Sequence, residues 1–463
     1  MGEERTMTSK QLQYAVFPPK TPGAWRIFLD ESLCIKAQEA ALLVAERMRD
    51  RDFINTTVEQ ARQQAVFPKV WSATSVSGFV GLALMYGYLE RCFPGQGWDL
   101  VAQQYLCSAA AGSQQSTILF PGLFDGTSSL ALTLSLSSRG GKRYQKTLAR
   151  LHQGLCEQVL QHQWRRPESD GGVAFIDYDI ISGAAGILAY LVSIEQPDAL
   201  VQSAVEHLLE YLVWLAKPGQ PMGQERWYIP PALLPNEGHR EAFPQGNFNC
   251  GLAHGIPGPL AALALSWLAG YRYPGLRESI SYLADWLVQH QVHAPWGIDW
   301  PLAVPFEAAF SPDTWKSLSA AHAAWCYGAP GISRSFWLAG QALEDERLCQ
   351  VAIKAIEGTL YRPISLRGIP APNICHGVSG LLQICLHFAQ ESESSLAKDH
   401  IPLLVEQILD AFNPAFALGF RDIEQGVFVD QPAWLTGAPG IAMTLLAAST
   451  PVIPVWDRIL GIA

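Results

Sequence analysis

The stretch Gly78-Phe79-Val80-Gly81, followed by Leu82-Ala83-Leu84-Met85-Tyr86-Gly87-Tyr88-Leu89, decides how the whole chain reads. A Gly-x-x-Gly step opens a run that is apolar on every side. The step recurs as Gly183-Ala184-Ala185-Gly186, Gly255-Ile256-Pro257-Gly258, Gly328-Ala329-Pro330-Gly331, Gly377-Val378-Ser379-Gly380 and Gly437-Ala438-Pro439-Gly440, each ahead of an apolar run. A degenerate copy, Gly126-Thr127-Ser128-Ser129, has serine at the second glycine position. The seven copies are spaced by roughly 50 to 70 residues, a longer period than most solenoids use.

The intervening stretches carry apolar residues at helical spacing with a polar face: Tyr144 to His162, Ala199 to Leu215, Arg277 to His290 and Leu348 to Thr359. Each repeat is therefore an outer amphipathic helix, a glycine turn and an inner apolar helix. A helix apolar all round must be buried on every side. Seven hairpins achieve this by closing into a ring, an all-α, α/α toroid with inner and outer helix rings. The alternative, an open solenoid, needs polar terminal caps, and the last inner run, Ile441 to Ser449, is as apolar as those in the middle. Residues 1–75 read as an N-terminal segment with the first outer helices, and residues 76–463 as the seven-repeat toroid, a single domain overall. Pro-rich loops at Lys217 to Phe248 and Ala294 to Asp313 interrupt the pattern, and loops of that length in a compact domain are usually functional.

Length alone, 463 residues, would allow about two to four domains, but the repeat leaves no second unit. With 49% apolar and 16% charged residues, a large core is available. The net charge of −10 argues against nucleic acid, since no basic stripe exists to meet phosphates. Met1 to Lys10 is polar with no apolar h-region behind it, so no secretory signal is expected. Met1 to Thr6 formally fits a myristoylation pattern, one that is short and often matched by chance. The uncharged run Gln431 to Trp456 is broken by Pro432, Pro439, Pro451 and Pro454 and reads as a buried helix, with no membrane span expected. Nine cysteines without a signal peptide point to reduced thiols and a cytoplasmic protein.

Aligned on the first glycine, the repeats place their chemistry in one register. His254 precedes Gly255; Cys326 and Tyr327 precede Gly328; Cys375 and His376 precede Gly377. The same two slots hold Phe124 and Asp125, Ile181 and Ser182, and Leu435 and Thr436 elsewhere. Repeats four, five and six are neighbours in a ring, so their side chains cluster at one mouth. Inner-helix N-termini gathered there favour negative charge. Cys326, Cys375 and His376 match a catalytic zinc set with a fourth position open for water or substrate. His254 reads as an acid/base beside the metal, with a ligand or a structural role as the alternatives. Cys250 reads as a small buried thiol, and His290 and His293 as solvated residues at the end of an outer helix. Core packing accounts for Cys34, Cys92, Cys107, Cys156, Cys349 and Cys385.

The strings Gly251-Leu252-Ala253-His254-Gly255, Trp325-Cys326-Tyr327-Gly328 and Cys375-His376-Gly377, in this order and register, resemble the LanC-like family of lanthipeptide cyclases from about Val76 to the C-terminus. The resemblance implies an α/α toroid with one Zn2+ held by Cys326, Cys375 and His376. It implies lantibiotic-type chemistry: a cysteine of a dehydrated precursor peptide adds to a dehydroalanine or dehydrobutyrine of the same peptide, giving lanthionine or methyllanthionine thioether rings. It also implies proton transfer by His254 and by Asp179, in Tyr178-Asp179-Ile180-Ile181-Ser182-Gly183, with Tyr327 among the catalytic candidates. Asp179 has an alternative reading as an N-cap ahead of the third inner helix.

One departure stands out. Bacterial cyclases of this kind commonly carry arginine four residues before the first zinc cysteine; here that position is His322, in His322-Ala323-Ala324-Trp325-Cys326. If the segment is helical, His322 lies one turn from Cys326 and offers an acid or cation beside the enolate, or a packed histidine. Because the first repeat begins near Val76, the chain resembles a standalone cyclase working with a separate dehydratase. Three rivals remain at this level: a LanC-like protein adding glutathione to dehydroamino acids, a glycosidase using paired carboxylates such as Asp125 and Asp179, and a non-catalytic peptide-binding toroid.

Overall fold

The computed structural model describes residues 25–463 apart from 68–70, 116–119, 168–170, 219–224 and 393. The signal and myristoylation readings of Met1 to Lys10 lie outside the described residues. Fourteen helices build two concentric rings: α1 (Glu31–Arg47), α2 (Phe79–Cys92), α3 (Trp98–Gln115), α4 (Thr127–Leu136), α5 (Gln145–Gln161), α6 (Ala184–Leu191), α7 (Ala199–Leu215), α8 (Pro257–Leu268), α9 (Leu276–Gln289), α10 (Ala329–Leu343), α11 (Glu346–Tyr361), α12 (Val378–Glu391), α13 (Ser395–Asp410) and α14 (Ala438–Ser449). Odd-numbered helices are outer and even-numbered ones inner. The fold is the α/α toroid.

The glycine steps start the inner helices because nothing larger fits. A Cβ on the second glycine of a repeat would strike the preceding repeat's turn: at Gly331 it would lie 2.9 Å from Leu252 Cβ and 2.2 Å from the Trp325 carbonyl. The same contact closes the ring. A Cβ on Gly81 of the first repeat would lie 2.7 Å from Trp434 Cβ of the last. In the degenerate second repeat Ser129 takes this position, and its hydroxyl donates to the Gly126 carbonyl at 2.8 Å. Closure is completed outside by α1, which packs against α14 and so joins the two ends of the chain.

A belt of backbone hydrogen bonds runs around the mouth, made by residues at or next to the position two before each first glycine. Val76 N–H donates to Phe124 C=O (2.9 Å), Phe124 to Ile181 (3.0 Å), Ile180 to Ala253 (3.2 Å), Ala253 to Cys326 (3.3 Å), Cys326 to Cys375 (3.3 Å) and Cys375 to Leu435 (3.1 Å). Loop backbone held this way has fixed positions. Below the belt the bore is filled. Phe124 stacks on Trp325 across it, with ring centres 6.2 Å apart. The C-terminal 3-10 helix Val455–Leu460 enters from the far end, and Trp325 Nε1–H donates to the Leu460 carbonyl at 3.0 Å.

Among the described residues the connections hold the helix Arg51–Gln64, shorter helical turns and three two-stranded sheets, two of them hairpins. The Lys217 to Phe248 loop includes the turn Pro231–Leu233 and a helix Glu237–Ala242; its end, Asn247–Asn249, pairs with Ala303–Pro305. Among the described residues no helix is long and apolar enough to cross a membrane. Two expectations need correction. His290 is buried, stacked on Trp286 with its Nδ1 2.8 Å from the Trp286 carbonyl, because the loop at Ala309 and Trp315 folds over it. Cys107 is exposed, on the outer face of α3, and not in the core. All nine cysteines are free thiols.

Candidate functional site

Each glycine turn must satisfy the N–H groups that open its inner helix, and the residue four before the first glycine does this in two repeats. Asp179 Oδ1 accepts from Ser182 N–H (2.7 Å) and Gly183 N–H (2.8 Å). Asn373 Oδ1 accepts from His376 N–H (3.0 Å). Asp179 thus braces the turn ahead of the third inner helix, whose N-cap is Gly183 without a side-chain cap, and it makes a second contact. Its other oxygen, Oδ2, lies 2.6 Å from Nδ1 of His254 on the next repeat. Asp179 is fully buried, so it touches His254 and the turn, not the mouth. With both oxygens engaged it is unavailable as half of a glycosidase carboxylate pair.

His254 is half-buried, edge-on to Phe175 at 4.8 Å between ring centres. The Asp179 contact leaves Nε2 as its free nitrogen. It is near enough to Cys375 for its charge to act on that thiol.

Cys326, Cys375 and His376 meet at the mouth. The backbones of Cys326 and Cys375 are joined at 3.3 Å, and the two thiols and the His376 ring are close enough to act on one another's acidity. The pair splits its acidity. The neighbouring Cys326 thiol and His376 hold Cys375 well below the usual thiol value. Cys326, beside that thiolate and buried, is pushed well above. Burial alone would pull His376 down, but the neighbouring Asp422 and Cys375 overcome it and push it up to about 10. His376 Nε2 stands 3.1 Å from Asn373 Nδ2 and 3.7 Å from Asp422 Oδ1, and Asn373 Nδ2 donates to Asp422 Oδ1 at 2.6 Å. Among the described residues no three such groups surround a common centre at ligand spacing. As chemistry the donor set, two thiols and an imidazole with a carboxylate behind it, fits zinc.

His322 does not sit on a helix as the spacing allowed. Residues 321–328 form a loop, yet the loop still brings His322 Nε2 to 3.9 Å from Cys326 Sγ. Burial and the charge of His376 pull His322 below the ordinary histidine value. The Tyr327 ring lies edge-on to His322 at 6.0 Å and against Gly251, where a Cβ would come within 2.5 Å of it. Its hydroxyl accepts from Asn249 Nδ2 at 3.2 Å. Six of the seven sequence-derived candidates therefore share one mouth, and the seventh, Asp179, is buried behind His254. Cys250, fully buried with its Sγ 3.6 Å from the Phe248 carbonyl, stays out of it.

Three residues that the sequence reading passed over belong to the site: Asn373, Asp422 and Asn249. Asn373 occupies the register of Asp179, and that equivalence was the available signal. Asp422 begins a hairpin strand, Asp422–Glu424, and carries no signal in the repeat.

The sequence matches the model of the lanthionine synthetase C-like protein family over residues 69–460. It is 25% identical over 358 residues to the nisin biosynthesis protein NisC of Lactococcus lactis subsp. lactis, covering 75% of this chain and 82% of that protein. The solved structure of nisin cyclase superposes with a TM-score of 0.70 at 21% identity, covering 89% of this chain and 97% of that one. The register of the glycine turns, the toroid and the family match agree, and the chain belongs to the lanthionine synthetase C-like protein family.

Proposed function

We propose that the protein is a zinc-dependent lanthipeptide cyclase, adding cysteine thiols of a dehydrated precursor peptide to dehydroalanine or dehydrobutyrine residues of the same peptide. Membership of the lanthionine synthetase C-like family carries the reaction class, thioether bond formation. The observation that supports this chemistry here is the meeting of Cys326, Cys375 and His376 beside the Asp179–His254 pair.

Cys326, Cys375 and His376 would hold the metal, with Asn373 and Asp422 behind the His376 ring. Bound there, zinc supplies the Lewis acidity that keeps a thiol ionised at neutral pH. The chain's own residues manage the protons. In the addition, a thiolate electron pair forms the S–Cβ bond, the Cα=Cβ π pair moves onto the α-carbon and its carbonyl, and a proton must arrive at Cα. His254, fixed by Asp179 with Nε2 free, accepts the proton released by the thiol and returns one to Cα, so the net change is addition of S–H across the double bond. Tyr327 and His322 wall the side beside Cys326. A separate dehydratase would supply the dehydroamino acids.

Incubation with a dehydrated, cysteine-containing peptide tests the reading. Cyclisation leaves the peptide mass unchanged while removing its reactivity toward a thiol-alkylating reagent. A thiol that stays alkylatable, or a product that gains the mass of added glutathione, would overturn it.

A further inference from the structure

The connection between α11 and the sixth glycine turn is folded with its hydropathy inside out. Arg362 and Arg367 are buried, 7% and 4% exposed, while Tyr361, Ile364 and Leu366 are exposed at 68%, 64% and 53%. This is not a loose loop. Arg362 donates to the Ala321 carbonyl at 2.7 Å and lies over the Trp296 ring at 4.4 Å. Arg367 donates to the carbonyls of Arg362 (3.1 Å) and Leu360 (2.8 Å). Leu366 N–H to Pro363 C=O (2.8 Å) and Arg367 N–H to Ile364 C=O (3.1 Å) fix the turn itself. Two desolvated guanidinium groups thus hold three large apolar side chains out in water. An apolar group of this size, kept exposed by a rigid frame, marks a surface completed by a partner.

Its position names the partner. The Arg367 carbonyl accepts from Ala323 N–H at 2.7 Å, and a Cβ on Gly368 would lie 3.0 Å from His322 Cβ. His322 is the residue whose Nε2 is 3.9 Å from Cys326 Sγ. The C-terminal end of the turn therefore borders the His322 side of the mouth, two residues from the exposed Leu366. We infer that Tyr361, Ile364 and Leu366 form a docking ledge for apolar side chains of the peptide substrate that flank the cysteine or its dehydroamino acid partner. The inference rests on the peptide-cyclase reading and deepens it: an extended apolar-flanked segment has a surface to lie on, whereas a small hydrophilic thiol such as glutathione leaves the ledge bare.

The test is a binding measurement that needs no turnover. Fluorescence anisotropy is recorded for two labelled peptides with serine in place of the reacting cysteine, one flanked by leucine and isoleucine, the other by serine. The native protein should prefer the apolar-flanked peptide by about tenfold or more, as expected for covering one to two aliphatic side chains. The exposed-residue double variant Ile364→Ser/Leu366→Ser should bind both alike. Leu403→Ser, equally exposed but on outer helix α13, should keep the preference. A double variant that keeps the native preference, or a native protein with none, overturns the ledge. So does sedimentation showing a native dimer that the double variant dissolves, since the surface would then join two copies. Binding as expected without cyclisation would sink the reaction reading and leave the ledge standing.

Discussion

Asp179 Oδ2 lies 2.6 Å from His254 Nδ1, while Asp179 Oδ1 accepts two N–H groups of its own glycine turn. One buried carboxylate thus ties the third repeat to the fourth and sets which imidazole nitrogen faces the mouth. Asp179→Asn keeps an acceptor for the turn but swaps or weakens the partner of His254. It should lower cyclisation by about a hundredfold or more, with little change in melting temperature. Asp179→Ala should add a loss of about 1–2 kcal/mol in stability by orphaning the turn N–H groups. His254→Ala should abolish cyclisation and retain metal. Parallel rate, melting and metal measurements decide; loss of metal with His254 would make it a ligand.

His322 stands against the Cys326 sulfur without being a ligand in this account. His322→Ala should slow cyclisation by about tenfold or more without releasing metal. His322→Arg should retain turnover, since it supplies a donor at the same place. An alanine variant with the native rate would remove His322 from the mechanism.

Packing at the turns separates two glycines that look alike in sequence. Gly331→Ala forces a methyl to 2.2 Å from the Trp325 carbonyl and 2.9 Å from Leu252 Cβ. It should destabilise by about 3 kcal/mol or more, or prevent soluble folding. Gly154 sits in helix α5, and an added methyl there would meet nothing within 4 Å. Gly154→Ala should stabilise by about 0.5–1 kcal/mol. Denaturant melts of the two variants check both signs.

How much of this was legible follows from the same turns. The seven steps mark seven inner helices, because each needs a glycine where neighbouring repeats touch, and the metal-type residues share two adjacent slots of that repeat. The closed ring was legible, but the contact that seals it, Trp434 on Gly81, the pairing of α1 with α14 and the C-terminal 3-10 helix in the bore were not, since each joins residues more than a hundred positions apart with no periodic mark. His290 read as solvated because helical spacing cannot foresee a loop folding over the helix end. The inverted turn at Tyr361–Arg367 escaped for a related reason: Arg362 is buried by Ala321 and Trp296 of other connections, and Arg367 folds back onto the carbonyls of Leu360 and Arg362.

A buried charge network below the bore gives stability a pH dependence. Arg334 makes two 2.8 Å contacts to Glu391, and His387 bridges Glu391 (2.8 Å) and Asp457 (2.6 Å). Burial opposes ionisation of His387, but Asp457 raises it above the ordinary histidine value despite Arg334. Burial likewise opposes ionisation of Glu391, and Arg334 and His387 hold it below the usual carboxylate range. The His387 contribution is therefore complete below about pH 6.5 and fades as pH rises through its folded value. The Glu391 contribution is complete above about pH 4.3 and fades as pH falls through its own. The melting temperature should decline as pH rises above about 6.5. His387→Gln should flatten that alkaline slope and leave an acid limb from Glu391. An unchanged alkaline slope in the variant would assign it elsewhere.

The central claim is that Cys326, Cys375 and His376 hold one catalytic zinc. Metal analysis of purified native protein and of Cys375→Ala, each dialysed against metal-free buffer and checked for helical content, tests it most directly. The account predicts about one zinc per native chain and almost none in a Cys375→Ala protein that remains helical. Equal zinc in the two proteins, or none in the native one after zinc has been supplied, would contradict it.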